Sequence, residues 1–194
     1  MALFLYNIVL TILSPLLRCY FAYMGIRDSR YTGTLEERNG RYPSKIKKPD
    51  VAFRVWIHAV SVGEVVGATP LIRNVMENIP GVDLVVSTTT KTGREMLLKT
   101  FGNVKTFYFP FDMPLVAKRA VNFIRPDVLV IMETELWPNV VTRCRRSGAH
   151  VLLLNGRVSE RMASAKGIIR NMYGFVFNKM DILGMQSEAD AKRL

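Results

Sequence analysis

From Phe53 onward, short and almost unbroken apolar runs alternate with longer stretches in which apolar residues recur every three or four positions. FRVWIHAV (53–60), DLVVST (83–88), KTFYFP (105–110), DVLVIM (127–132), HVLLLN (150–155) and DILGMQS (181–187) read as six strands. After the first run, Val65, Val66, Ala68, Thr69, Ile72, Val75, Met76 and Ile79 fall at helical spacing. Further helices are predicted over 92–101, near 113–124, near 138–147 and across 160–178. Strands that are apolar throughout suit a sheet covered on both faces, and their alternation with helices argues for βαβ units. The expected fold class is α/β, a Rossmann-like, doubly wound parallel sheet over 53–194.

The N-terminus breaks this pattern. Residues 1–17 carry no charged side chain, Arg18 interrupts, and the run continues apolar to Ile26. That approaches the roughly 20 residues a membrane-crossing helix needs. No basic residue precedes the run and no clean small-x-small site follows it, which argues against a cleaved signal peptide. Residues 1–26 therefore read as a membrane anchor, spanning or shallowly inserted, with an ordinary buried first helix as the alternative. Residues 27–52, with Arg27, Arg30, Arg38, Arg41, Lys45, Lys47 and Lys48, read as a basic linker on the cytoplasmic side.

Composition narrows the partners. The 194 residues suffice for one sizeable domain, and a formal charge of +11 favours an anionic partner. Cys19 and Cys144 are too few for a disulfide framework, and His58 and His150 offer no metal-ligand spacing. No metal site is expected. The stretch 159–180 mixes basic and apolar residues and reads as a helix covering the sheet, with a membrane surface as the alternative.

In open α/β sheets, ligands bind beyond the carboxyl ends of the strands where strand order reverses, which in a six-stranded Rossmann order lies between strands one and four. Glu64, in HAVSVGEV, follows strand one, and Glu133, in METELWPN, follows strand four. Both acids fall at one crevice. Glu64 also reads as a first-turn acid stabilised by the helix dipole, and Glu135 likewise. Glu133, at the end of a buried strand, calls for a partner, a ligand or a raised pKa. The first βα turn has Gly63 and Gly67 but no G-x-G-x-x-G, and a carboxylate there would repel a pyrophosphate. A proton acceptor for an alcohol fits better. Ser87 to Thr90, Lys91, Asn155, Gly156, Arg157, Gln186 and Ser187 complete the crevice, with Arg157 either an anion clamp or a solvated loop residue. The threonine run 88–90 also reads as a helix cap. His58 reads as a packing histidine and Cys144 as inert.

WIHAVSVGEV (56–65), VVSTTTKTG (85–93), METELWPN (132–139), LLLNGRVSERM (152–162) and MQSEADAKRL (185–194) together resemble the 3-deoxy-D-manno-octulosonic acid (Kdo) transferases. The resemblance implies the N-terminal, acceptor-binding half of a two-domain GT-B fold preceded by a membrane anchor. It implies transfer of Kdo from CMP-Kdo to a glucosamine hydroxyl of a phosphorylated lipid A precursor at the cytoplasmic face of an inner membrane. Glu64 takes the position of the catalytic base and Glu133 that of the transition-state stabiliser, and no cofactor or metal is implied. Ser61, Gly63, Thr89 and Arg157 are the expected substrate contacts. The family's C-terminal lysine has no counterpart here, so these residues alone are expected to show little transfer. The alternatives are another lipid-directed GT-B glycosyltransferase and a non-enzymatic domain binding anionic lipid. A nucleic-acid binder would explain the charge but not the apolar N-terminus, so no nucleic-acid partner is expected.

Overall fold

The computed structural model describes residues 2–27, 34–50 and 52–194, with only the backbone of Arg18. Six strands, β1 Arg54–His58, β2 Asp83–Thr88, β3 Lys105–Tyr108, β4 Val128–Met132, β5 His150–Gly156 and β6 Ile182–Met185, form one sheet in the order β3-β2-β1-β4-β5-β6. Every pairing is parallel. The period-2 alternation of side chains divides β1 between two cores. Val55 and Ile57 pack with Val65, Ala68 and Ile72 of helix α3 (Val62–Asn78) and Leu97 of α4 (Lys91–Thr100). Trp56 faces the other way, toward Val121 of α5 (Pro114–Ile124) and Val140 of α6 (Pro138–Arg146). Burial on both faces holds for β1, β2 and β4 but lapses toward β6, an edge strand whose residues are half-buried or exposed.

Two expectations need correction. The predicted helix over 160–178 is two helices, α7 Glu160–Ala163 and α8 Gly167–Phe177, separated by residues 164–166, where Lys166 is extended at φ −123° and ψ 165°. An apolar pattern at helical spacing continues through that break, but the extended backbone at Lys166 interrupts the run of helical hydrogen bonds. Residues 34–46 are not a linker. Helix α2 (Thr34–Arg38) buries Thr34 and Arg38, while Tyr42 and Ile46 enter the core, Tyr42 lying edge-on to Phe107 at 4.9 Å between ring centres. Gly40, at φ +75°, lets the backbone pass 3.1–3.2 Å from where a Cβ would meet Val116 O and Ala120 N of α5. The polar composition of this stretch masked a few well-spaced apolar anchors. Residues 28–33 of the expected linker lie outside the described residues.

Helix α1 (Ala2–Arg27) is long and apolar enough to cross a membrane. A short helix not expected from the sequence, α9 (Glu188–Arg193), starts at Ser187, whose hydroxyl accepts from Asp190 N.

The amino ends of the central strands are locked by a buried ionic cluster. The Arg54 side chain is fully buried; Nε donates to Asp83 Oδ2 at 2.9 Å and Nη1 to the Ile46 and Ile124 carbonyls at 2.7 and 2.8 Å. Lys105 Nζ donates to the other Asp83 oxygen at 2.7 Å. Burial works against the Asp83 carboxylate, but its bonds to Lys105 and Arg54 outweigh that and hold its pKa below the usual range. Asp83→Ala should cost about 3–5 kcal/mol in a denaturant melt, because it strands a buried guanidinium. The lowered pKa means that this stabilisation is present above the ordinary aspartate pKa. It is lost as pH falls through the still lower folded value. An acid titration of wild type and variant should therefore converge at low pH, and a constant gap would refute the assignment.

Candidate active site

The β1–α3 turn is built around Glu64. Ser61, with φ −124°, is the helix N-cap, and its hydroxyl accepts from Glu64 N while donating to Glu64 Oε1 at 3.1 Å. Glu64 Oε2 accepts from Val60 N at 2.7 Å. This is a capping box reaching one residue further back than usual, and the spacing S-x-x-E announces it in sequence. The Val60 carbonyl in turn accepts from Thr88 Oγ1 at 2.8 Å and from Thr89 N and Thr90 N at 3.1 Å, pinning the turn to the end of β2. Gly63 lies open on this first turn, and Thr90 caps α4 by accepting from Gly93 N. Glu64 is 7% exposed. Burial raises its pKa and the nearby charge of Glu133 adds to this, while the bonds from Val60 and Ser61 hold it back.

Across the strand-order reversal, Glu133 follows the last residue of β4 and takes φ +57°, a left-handed conformation costing a non-glycine residue about 1–3 kcal/mol. Its N–H donates to Leu154 O on β5, where Asn155 is left-handed too. Glu133 is half-buried rather than buried, because the chain turns outward at this residue. Glu135 is raised in pKa by burial and then by the charges of Glu64 and Glu133. Three carboxylates therefore share one crevice. Glu135 is not in a helical first turn, since α6 starts at Pro138. The free N–H groups of α6 are met from a distance: Asp112 accepts from Asn139 N at 3.0 Å and Val140 N at 2.8 Å. Its burial pushes the Asp112 pKa up to about 7.

The predicted crevice residues divide. Arg157 is exposed, its N–H donating to Thr134 Oγ1 at 2.7 Å. With Glu133, Ser159, Arg161, Met162 and Ile169 it lines a groove of about 800 Å³ running out from Glu133. Thr89 faces a separate apolar cavity of about 180 Å³ beneath α1, and its carbonyl accepts from Arg38 Nη2 at 2.6 Å. Ser87 and Thr88 are strand residues bonded inward, and Ser187 caps α9. His58 is fully buried, stacked on Phe109 at 3.8 Å, with Nδ1 beside Ser87; burial lowers its pKa to about 3, so it packs as a neutral ring. Cys144 is buried, which pushes its thiol up and leaves it inert. Ser159 and Arg161 were not anticipated as groove residues, although Arg161 is visible four positions after Arg157. Among the described residues no three His, Cys, Asp or Glu side chains are grouped to hold a metal ion.

A family profile described as 3-Deoxy-D-manno-octulosonic-acid transferase (kdotransferase) matches residues 33–194. The chain is 34% identical over 191 residues to a 3-deoxy-D-manno-octulosonic acid transferase of Haemophilus influenzae, covering 98% of this chain but 44% of that protein. Its fold is similar to a UDP-N-acetylglucosamine 2-epimerase (TM-score 0.50, 14% identity, 73% of this chain, 44% of that one). It is similar also to MurG of Acinetobacter baumannii (TM-score 0.50, 12% identity, 72% and 42%). The architecture is that of the N-terminal domain of a GT-B glycosyltransferase. The chain spans less than half the length of these relatives.

If Ser61 is the cap that holds Glu64, Ser61→Ala should lower stability by about 0.5–2 kcal/mol in a thermal or denaturant melt. A stability unchanged within error would show that the hydroxyl does not bear on the turn.

Proposed function

Since the chain belongs to the 3-deoxy-D-manno-octulosonic-acid transferase family, we propose that it supplies the acceptor side of an inverting, metal-independent transfer of Kdo from CMP-Kdo to a glucosamine hydroxyl of a phosphorylated lipid A precursor. The observation that carries this reading is Glu64, a carboxylate of raised pKa held by Val60 N and Ser61 Oγ in the crevice where strand order reverses. A sugar hydroxyl is a poor nucleophile, and a positioned base that takes its proton as the bond to the anomeric carbon forms contributes about 10²–10⁴-fold. CMP departs with the bonding electrons and is already a good leaving group. A raised pKa makes Glu64 a stronger base.

Glu133 faces the same crevice and supports the charge that develops on the sugar ring. Its left-handed backbone, held by Leu154 O, fixes the direction from which it acts. Arg157 and Arg161 in the groove are suited to an acceptor phosphate, and Met162, Ile169 and Tyr173 to the apolar part of a lipid. Ser61 orients Glu64 and Gly63 leaves the first turn open to an approaching sugar, while Thr89, facing the cavity beneath α1, makes no substrate contact in this reading. CMP-Kdo is left to the other half of a GT-B pair. Helix α1 and the net charge of +11 suit attachment to the cytoplasmic face of an anionic inner membrane.

Three measurements test the reading. In an active transferase carrying these residues, Glu64→Gln should cut turnover by about 10²–10⁴-fold with an unchanged melt, and retained turnover would move the base to Glu133 or Glu135. Glu64 must be ionised to accept a proton. The acidic limb of the pH–rate profile should therefore lie above the ordinary glutamate value of about 4.3 and move up further in Ser61→Ala, which removes a bond favouring the charged form. The isolated 194 residues, supplied with CMP-Kdo and lipid acceptor, should give negligible transfer. Appreciable turnover would refute the division between acceptor and donor halves.

A further inference from the structure

Helix α1 is fastened to the domain near both ends, with Leu10 and Leu17 over a small apolar cavity between them. Near its start, Tyr6 OH donates to Asp112 Oδ2 at 3.0 Å, and Asn139 Nδ2 donates to Asn7 Oδ1 at 2.7 Å. Near its end, the Phe21 ring lies 5.4 Å from that of Phe111 and 4.6 Å from the Arg38 guanidinium carbon. Ala2 and Leu3 abut Ile168 and Phe175 of α8. From Tyr6 to Phe21 is about 22 Å at 1.5 Å per residue, most of a hydrocarbon core of about 30 Å. A membrane-crossing α1 in this arrangement would carry Asp112, Asn139 and Arg38 into lipid, where ionisable groups are costly.

The opposite face of α1 is built for lipid. Phe4, Ile12 and Leu16 are 67–69% exposed, and Val9, Tyr20 and Tyr23 continue the stripe. The helix is apolar on both sides because one side faces the domain through Leu10, Leu17 and Phe21. Its polar side chains on the outside are turned onto the backbone: Thr11 Oγ1 donates to Asn7 O, and Ser14 Oγ donates to Thr11 O at 2.9 Å. The Thr11 carbonyl is the one that Pro15, lacking an N–H, cannot satisfy, so the hydroxyl replaces the missing donor. Beside the N-terminal end of α1, α8 exposes Ile168 and Ile169, and Arg161, Lys166 and Arg170 are exposed around them.

We propose that α1 and the start of α8 form one membrane-seating face that lies in the plane of an anionic leaflet, so that α1 does not cross the bilayer. The apolar stripe enters the boundary by about 5–10 Å, and the basic fringe meets the lipid phosphates. Ile169 lines the groove leading to Glu133, so this seat sets the groove mouth at headgroup level, where a lipid-borne acceptor arrives. The inference rests on the membrane attachment proposed above and adds its geometry.

The test uses the whole chain in bacterial membranes, with Cys19→Ser removing the exposed native thiol and Cys144 left buried. One variant carries a cysteine in a short glycine–serine extension ahead of Met1, and a second carries Glu188→Cys in the exposed turn at α9 to report the side of the domain. A membrane-impermeant maleimide should label both in the same preparation, inverted vesicles, and neither in intact spheroplasts. Labelling of the two on opposite sides would overturn the in-plane seat while leaving membrane attachment standing. Flotation separates the premise: a chain that fails to float with phosphatidylglycerol vesicles sinks both. Lys166→Glu with Arg170→Glu should weaken partition into those vesicles by at least about 30-fold, from about 1 kcal/mol for each basic residue at the surface. An unchanged partition would remove α8 from the face.

Discussion

The structure depends on β1 having β2 on one side and β4 on the other. At that reversal of strand order, the turns that leave the carboxyl ends of β1 and β4 flank one crevice. At the amino ends, Arg54 ties β1 to β2, β3 and the β4 approach through Asp83, Lys105 and Ile124 O. At the carboxyl ends, Val60 ties the β1 turn to the end of β2. A strand locked at both ends and buried throughout is a rigid base on which to aim a carboxylate.

Glu64 shows how a structural and a chemical role coincide in one side chain. As a capping-box member it satisfies Val60 N and orders the first turn of α3; as a nearly buried acid it acquires a raised pKa. The bonds from Val60 and Ser61 favour its ionised form, while burial and the charge of Glu133 oppose that form. The balance leaves a carboxylate basic enough to take a proton and fixed enough to take it from one direction. Glu133 obtains its fixity differently, from a left-handed backbone enforced by β5.

Under the proposed function, the basic charge and the apolar N-terminus answer one physical problem, that of a polar domain meeting a lipid-borne substrate. Asp112 joins them to the site. It caps α6 by accepting from Asn139 N and Val140 N, and it accepts from Tyr6 of α1, so the apolar helix and the loop that carries Glu133 share one buried carboxyl.

The alternation of continuous apolar runs with helical spacing was enough to indicate a parallel sheet, and bringing Glu64 and Glu133 to one crevice took in addition the Rossmann strand order that the structure has. The elements themselves depend on side-chain periods of 2 and 3.6, which are local properties of the chain. The capping box at Ser61 and Glu64 is equally local and was present in the spacing S-x-x-E. Tertiary structure alone decided that Thr89 faces α1 rather than the groove, that Glu133 is half-exposed, and that Tyr42 and Ile46 belong to the core. It alone supplied a cap for α6 from Asp112, 27 residues away. Burial, pKa and long-range hydrogen bonds are set by which distant segments come to lie together, and no window of sequence contains that information.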